Sequence, residues 1–390
     1  MTQRLRFGAF LPPVHKAGIN PTLALQQDLE TIAWLDRCGY DEVWCGEHHS
    51  AGSEIWGCPE ILLAAAAQRT QHIKLGTGVV GVAYHNPLWV AERIVMLDHL
   101  TRGRVMLGVG PGSLPSDGSM IGLTPDDTRR LLPEGLAAIR QLLTSDNPVT
   151  LHNDRWRLQE ARLQLRPYSN PLFDISVASV ASPTGPLLAG RHGLGLLSIG
   201  GTTPEGFEAL GRQWSIVETE AKHHGQEVSR SRWRLVGMVH CAETEAAARQ
   251  EVAYGLVDFF RYLQDVAAYP HMTPPGATLD EMIATINEGG LGVIGTPDQC
   301  AEHIRRLLEQ SGGFGAFLLV AHNWARFDAT QRSFELIARE VFPRFQGQAA
   351  ASLESAARAA RARGELSTSH SAALEAAALR YQTELASRTR

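Results

Sequence analysis

Few residues of this chain can form cross-links. Its 390 residues include five cysteines, at positions 38, 45, 58, 241 and 300, an odd number with no Cys-x-x-Cys spacing. That argues against a disulfide framework and a thiolate metal site, and it makes the cytoplasm the expected compartment. Lysine is scarcer still, limited to Lys16, Lys74 and Lys222, and the net charge is only −5. With no strong basic surplus, a nucleic-acid surface is not expected. No apolar run reaches about 18 residues, so no membrane-spanning helix is expected. The first residues, MTQRLRFGAFLPP, have no signal-peptide layout, because a strand-like run begins at Leu5.

What remains is ordinary globular material, 44% hydrophobic and 20% charged, long enough to bury a large core. Apolar β-rich runs occur at 5–11, 42–45, 73–80, 104–110, 173–179, 194–199, 233–241 and 314–320. Amphipathic stretches follow most of them, near 21–38, 59–70, 87–100, 126–144, 184–192, 204–224, 243–263 and 297–311. Eight strand–helix pairs predict parallel strands joined by crossover helices and closed into a (β/α)8 TIM barrel. Thr296, Pro297 and Gln299 form a capping box, and Gly103 reads as a helix C-cap. Residues 265–292, with YPHMTPPGAT, read as an insertion before the last strand, with the length of a lid. The Ala-, Arg- and Glu-rich stretch 347–390 reads as a helical extension outside a 1–346 barrel domain.

In such a barrel, chemistry gathers at the C-terminal ends of the strands. Glu47, His48 and His49 follow the second strand. Adjacent residues on extended chain point to opposite faces, so His48 and His49 cannot readily share one ion, and no metal is expected. One histidine facing the mouth as an acid–base group fits better, with Glu47 to orient or charge the pair; a hydrogen-bonded core histidine is the plain alternative. The glycines of GTG (76–78) and GVGPG (108–112) offer close backbone approach to a flat ligand, though not in dinucleotide-fingerprint order. Ser179, Ser182 and Thr184 line a turn that opens a helix, whose N–H groups suit a phosphate; Arg129 can add a fork. Simple N-capping by Ser182 accounts for the same serine. Trp56, Tyr84, Trp324 and Phe327 stand near strand ends and suit an apolar substrate pocket, although each also reads as core.

Together RFGAFL, GYDEVWCGEHH, IKLGTGVVG, NPLWVAERIVMLDHLTRGRVMLGVGPG and VIGTPDQCAEHI make the chain resemble the bacterial luciferase-like, flavin-dependent monooxygenases, from residue 4 to about 345. GEHHSAG, LGTGVV and GVGPGSLPSD are most similar to the limonene monooxygenase-like branch, which oxidises small hydrophobic substrates. The resemblance implies reduced FMN (FAD is also open) supplied by a separate NAD(P)H:flavin reductase, O2 adding at flavin C4a, and a homodimer. It carries the acid–base role onto His48, beside Glu47 and His49. It carries flavin contacts onto Thr77, Gly78, Val79, Gly110, Arg129, Ser179, Val180 and Ser182, with a cis bond at Gly78–Val79. Gly110 and Pro111 stand where light-emitting relatives have a Cys-Arg pair, which argues against light emission and removes one phosphate contact. Two rivals remain: an F420-dependent hydride-transfer enzyme on the same barrel, which a basic patch would favour, and a non-catalytic flavin binder.

Overall fold

The computed structural model describes residues 4–199, 204–267, 276 and 278–388. Eight parallel strands form the barrel: β1 (Arg6–Leu11), β2 (Glu42–Cys45), β3 (Lys74–Thr77), β4 (Val105–Gly110), β5 (Ile175–Ser179), β6 (Gly195–Ser198), β7 (Trp233–Cys241) and β8 (Ala316–Val320). Each pairs with the next, and β8 closes on β1 through registers such as Phe7 opposite Phe317. Strands buried on both faces carry mostly apolar side chains, so they read as largely hydrophobic runs, with Glu42 and Arg234 as buried charged exceptions.

The helices start where the local chemistry dictates. Asn20, Asn86, Thr124 and Thr296 each cap the backbone N–H groups of a following first turn that begins with proline. The C-cap of the helix Pro87–Thr101 is Arg102, one residue before the expected Gly103. Its left-handed turn starts at Arg102 (φ 53°) and continues through Gly103 (φ 86°).

Three features depart from the eight-unit reading. An antiparallel hairpin, Val149–His152 with Arg157–Ala161, intervenes before β5. The expected helix 243–263 is two helices, Glu245–Val252 and Leu256–Asp265, broken where Gly255 donates to the Trp324 carbonyl. The described end of the 265–292 insertion is a helix, Leu279–Gly289, leading to a strand, Gly292–Gly295, that pairs with β7. Residues 268–275 and 277, where a lid would lie, fall outside the described residues.

The chain divides into two compact units, Met1–Arg344 and Phe345–Arg390. The second consists largely of two helices, Ala350–Arg361 and Arg363–Arg388. No described helix is long and apolar enough to cross a membrane.

A charged plug fills the N-terminal end of the barrel. Arg234 and Glu42, each with a side chain 1% exposed, pair at 2.7 Å, and Arg234 also reaches Asp174 at 2.7 Å. Above it the interior is apolar, with Trp44, Met106, Met238, Leu318 and Phe10 in one cluster.

Candidate active site

β2 ends at Cys45, and the loop that follows is fixed by its own backbone. The Trp56 indole N–H donates to the Gly46 carbonyl at 2.9 Å, and the His48 N–H donates to the Trp56 carbonyl at 3.2 Å. Trp56 is buried in this role, so it shapes the loop instead of standing open to a substrate.

Within that loop the two histidines diverge, as alternation requires. His49 Nε2 meets Glu47 Oε1 at 2.8 Å, and His85 Nε2 meets the same oxygen at 2.6 Å. Gly81 N–H donates to Glu47 Oε2 at 3.0 Å. Among the described residues, Glu47, His49 and His85 form a His/Glu trio with ligand atoms all within 4.8 Å of one another. Both N···O separations are hydrogen-bond lengths, shorter than the roughly 3.3 Å between ligands around a tetrahedral ion with bonds of about 2 Å. We therefore read a carboxylate that orients two imidazoles through their Nε2–H groups. Burial works against the Glu47 anion, but the donors from His49 and His85 outweigh it and hold its pKa below the usual value. The Glu47 bond in turn raises His49.

His48 turns the other way and is clamped. Nδ1 meets Asp117 Oδ2 at 3.0 Å, and Nε2 meets Glu54 Oε2 at 2.9 Å. Asp117 Oδ1 accepts from the His49 N–H at 3.0 Å and from the Ser50 hydroxyl at 2.5 Å. Glu54 Oε1 accepts from the Tyr262 hydroxyl at 2.9 Å. Burial alone would lower the imidazole pKa, but two carboxylates on its two ring nitrogens overcome this and raise it from 6.5 to about 9. At neutral pH His48 is an imidazolium, a proton donor instead of a free base.

The other expected site residues fall in three places. Around β3 and β4, the Gly78–Val79 peptide is cis, and the Thr77 hydroxyl exchanges two 2.9 Å bonds with Gly108. The glycines there face their own chain instead of open space. A Cβ on Gly76 or Gly78 would strike Trp44, on Gly108 the Thr77 carbonyl at 2.2 Å, and on Gly110 Val79. Gly108→Ala is accordingly expected to destabilise the fold by about 3 kcal/mol, the upper range for overpacking. An unchanged thermal midpoint would contradict this packing.

At the end of β5, the Ser182 hydroxyl lies exposed, 3.0 Å from Thr184 Oγ1, and accepts the Thr184 N–H at 3.3 Å at the start of the helix Thr184–His192. Ser179 is buried and donates to the Ser182 carbonyl at 3.4 Å. The Val180 carbonyl accepts from Gln213 at 2.5 Å, which fixes the turn. Arg129 does not join this turn; it is exposed and donates to Pro125 in its own helix at 2.9 Å.

The four aromatic groups do not line one wall. Tyr84 is half-buried, edge-on to His49 at 5.7 Å. Trp324 is fully buried, stacked on His322 at 3.9 Å and packed on Phe259. Phe327 is half-buried at the start of the helix Phe327–Glu340. Asp117, Glu54, His85 and Tyr262 were not singled out in the sequence. Asp117 lies in the turn-like PSDGS and Glu54 in AGSEIWG, and neither stretch carries a spacing signal of its own.

A parallel barrel with an imidazolium held between two carboxylates after β2 has the makings of an acid–base enzyme. A family model described as luciferase-like monooxygenase matches residues 5–314. Over 386 residues the chain is 45% identical to limonene 1,2-monooxygenase of Rhodococcus erythropolis, covering 99% of this chain and 98% of that one. It is 43% identical over 350 residues to 4-hydroxyprotoasukamycin monooxygenase of Streptomyces nodosus subsp. asukaensis, covering 88% and 93%. The fold is shared with the oxygenating constituent of 3,6-diketocamphane monooxygenase of Pseudomonas putida, solved in complex with FMN. That match has a TM-score of 0.73 at 24% identity and covers 87% of this chain and 99% of that one. The chain belongs to the luciferase-like monooxygenase family and is an oxygen-incorporating oxidoreductase.

Proposed function

We propose that this protein is a flavin-dependent monooxygenase that oxygenates a small hydrophobic molecule. It would use O2 and reduced FMN delivered by a separate NAD(P)H:flavin reductase. The observation that carries the reading is the clamped His48 cation after β2, above an apolar barrel interior. The similarity to two named monooxygenases at 45% and 43% identity supports oxygen insertion over F420-dependent hydride transfer. An acid–base group with this much support also fits an enzyme better than a passive flavin binder.

The residues present fit a flavin phosphate. Ser182 and Thr184 place exposed and half-buried hydroxyls at the N-terminus of the helix Thr184–His192, where free N–H groups and the positive dipole end favour an anion. Ser182 and Thr184 would hold that phosphate, with the Ser179–Val180 turn as its floor. Bound there, the reduced flavin would supply the electrons that activate O2. A mononucleotide satisfies the site, and the first phosphate of FAD has the same chemistry.

The protein's own share is protonic and steric. His48 would hold a proton at Nε2, 2.9 Å from Glu54 Oε2 as its acceptor. A cation there stabilises negative charge that develops beside it without reorganising solvent. Glu47 keeps His49 and His85 oriented, and Tyr84 packs against His49. The apolar cluster of Trp44, Met106, Met238 and Val320 excludes water from the interior.

Ser182→Ala is expected to weaken FMN binding about tenfold, the cost of one hydrogen bond to a charged group. Binding of riboflavin, which has no phosphate, should be unchanged. Fluorescence titration of both flavins measures this, and equal losses for the two would place the phosphate elsewhere. The function itself is tested by supplying reduced FMN, O2 and a monoterpene hydrocarbon or cyclic ketone. Reduced F420 turnover in place of an oxygenated product would overturn oxygen insertion.

A further inference from the structure

The two carboxylates on His48 are not equivalent. Asp117, on the short helix Pro115–Met120, is tied to the loop that carries the histidine through the His49 N–H and the Ser50 hydroxyl. Glu54 lies on the same loop as His48, with its backbone bridged to Val14, and its carboxylate is held from outside the loop. Its second oxygen accepts from Tyr262, on the helix Leu256–Asp265 and 208 residues further along the chain. The Nε2 contact is therefore the one that depends on a bond from a distant helix.

The same helix faces the apolar interior. Phe259 and Phe260 pack against Trp324 at 5.8 and 6.4 Å, within the cluster that includes Met238 and Val320. One helix thus presents an apolar wall to the barrel and a hydroxyl to Glu54. We propose that Glu54 and Tyr262 are positioning residues that set the charge of His48, and that they couple it to the position of the helix Leu256–Asp265. The inference rests on the oxygenase reading for its purpose, since a hydrophobic substrate in the interior would press on that helix. Its geometry stands apart from that reading.

When Glu54 is in place, His48 is a cation and its Nε2 proton is occupied. When the helix shifts, Tyr262 withdraws its bond, Glu54 is free to turn away, and Nε2 is released toward the site with its proton. Apolar contact at Phe259 and Phe260 and the protonation of His48 are then linked, and linkage is reciprocal. The groups that face His48 are Glu54 and Asp117 directly; the Glu47–His49 pair and Tyr84 lie beyond them.

The test is a histidine-resolved 15N NMR titration of the full chain without flavin, in wild type, Glu54→Gln and Tyr262→Phe, with remote His72 as the internal control. Glu54→Gln keeps the shape of the side chain and removes its charge. It is expected to lower the His48 midpoint by at least about one pH unit, a tenfold loss of proton affinity. Tyr262→Phe removes a single hydroxyl. It should lower the same midpoint by a smaller but resolved amount while His72 stays unmoved. A His48 midpoint that is unchanged in Tyr262→Phe reduces Tyr262 to a packing residue and overturns the coupling. Should Glu54→Gln fail to fold, Tyr262→Phe alone decides. Because no flavin is present, failure here is distinguishable from failure of the oxygenase reading, which a missing oxygenated product would show.

Discussion

Replacing His48 with glutamine is expected to lower oxygenation turnover by about 10²–10⁴-fold, the usual range for a lost acid–base group. Flavin affinity should be nearly unchanged, because the turn after β5 that we propose for the phosphate is built from other residues. The reason lies in the clamp. Glutamine can occupy the space between Glu54 and Asp117, but it carries no charge and no titratable proton. Buried carboxylates that had a cation between them would then face a neutral amide, so some loss of stability is also expected. In wild type the cationic form, with a pKa of about 9, persists across neutral pH, so a rate that depends on it should fall as pH rises through about 9. The stability sign follows the same shift. A pKa raised from 6.5 to about 9 stabilises the fold fully below 6.5. That contribution, on the order of 3 kcal/mol, is lost as the pH climbs through the folded value. Turnover by His48→Gln that matched wild type at every pH would remove His48 from the chemistry.

Replacing Arg234 with leucine is expected to cost the largest share of stability of any single change considered, about 3–5 kcal/mol. Arg234 fills the N-terminal end of the barrel and serves several partners at once. It bonds Glu42 and Asp174 at 2.7 Å each and lies over the Trp44 ring at 5.1 Å. Glu42 is further committed to Arg6 at 3.0 Å and to the Trp44 indole N–H at 2.8 Å. Removing the guanidinium leaves a buried carboxylate with only part of its compensation. Adding Glu42→Gln to Arg234→Leu should recover part of the loss, since the orphaned charge disappears. Burial acts to raise Asp174, but Arg234 and Arg232 overcome it and hold the carboxyl at about 2, below its ordinary 3.8. Its contribution is therefore present above pH 3.8 and is lost as the pH falls through about 2. Guanidinium unfolding of wild type and the two variants measures these differences. A single-variant loss below about 1 kcal/mol, typical of an exposed pair, would show that the plug is not a structural element.

The barrel was legible because its signals are local. A parallel strand buried on both faces is mostly apolar along its length, and many helices announce their start with a cap such as Thr296 and their stop with a residue such as Gly312. The hairpin at 149–161 was missed because its strands are short and one face is exposed, as in Val149–His152. The glycines of GTG and GVGPG show the opposite failure. Their pattern invites a ligand reading, but several of them make room for the Trp44 ring and the Thr77 carbonyl, which sequence spacing does not reveal.

The sequence by itself therefore determined the eight-unit barrel and the place of Glu47, His48 and His49 after β2, together with the divergence of the two histidines, since alternation is a property of extended backbone. Only the tertiary structure decided which partners each histidine meets. Asp117 lies 69 residues from His48, His85 lies 38 from Glu47, and Tyr262 lies 208 from Glu54. No local propensity encodes such meetings. They arise when barrel closure brings the ends of non-adjacent strands and the helix Leu256–Asp265 to one mouth, where burial makes each charge find a partner.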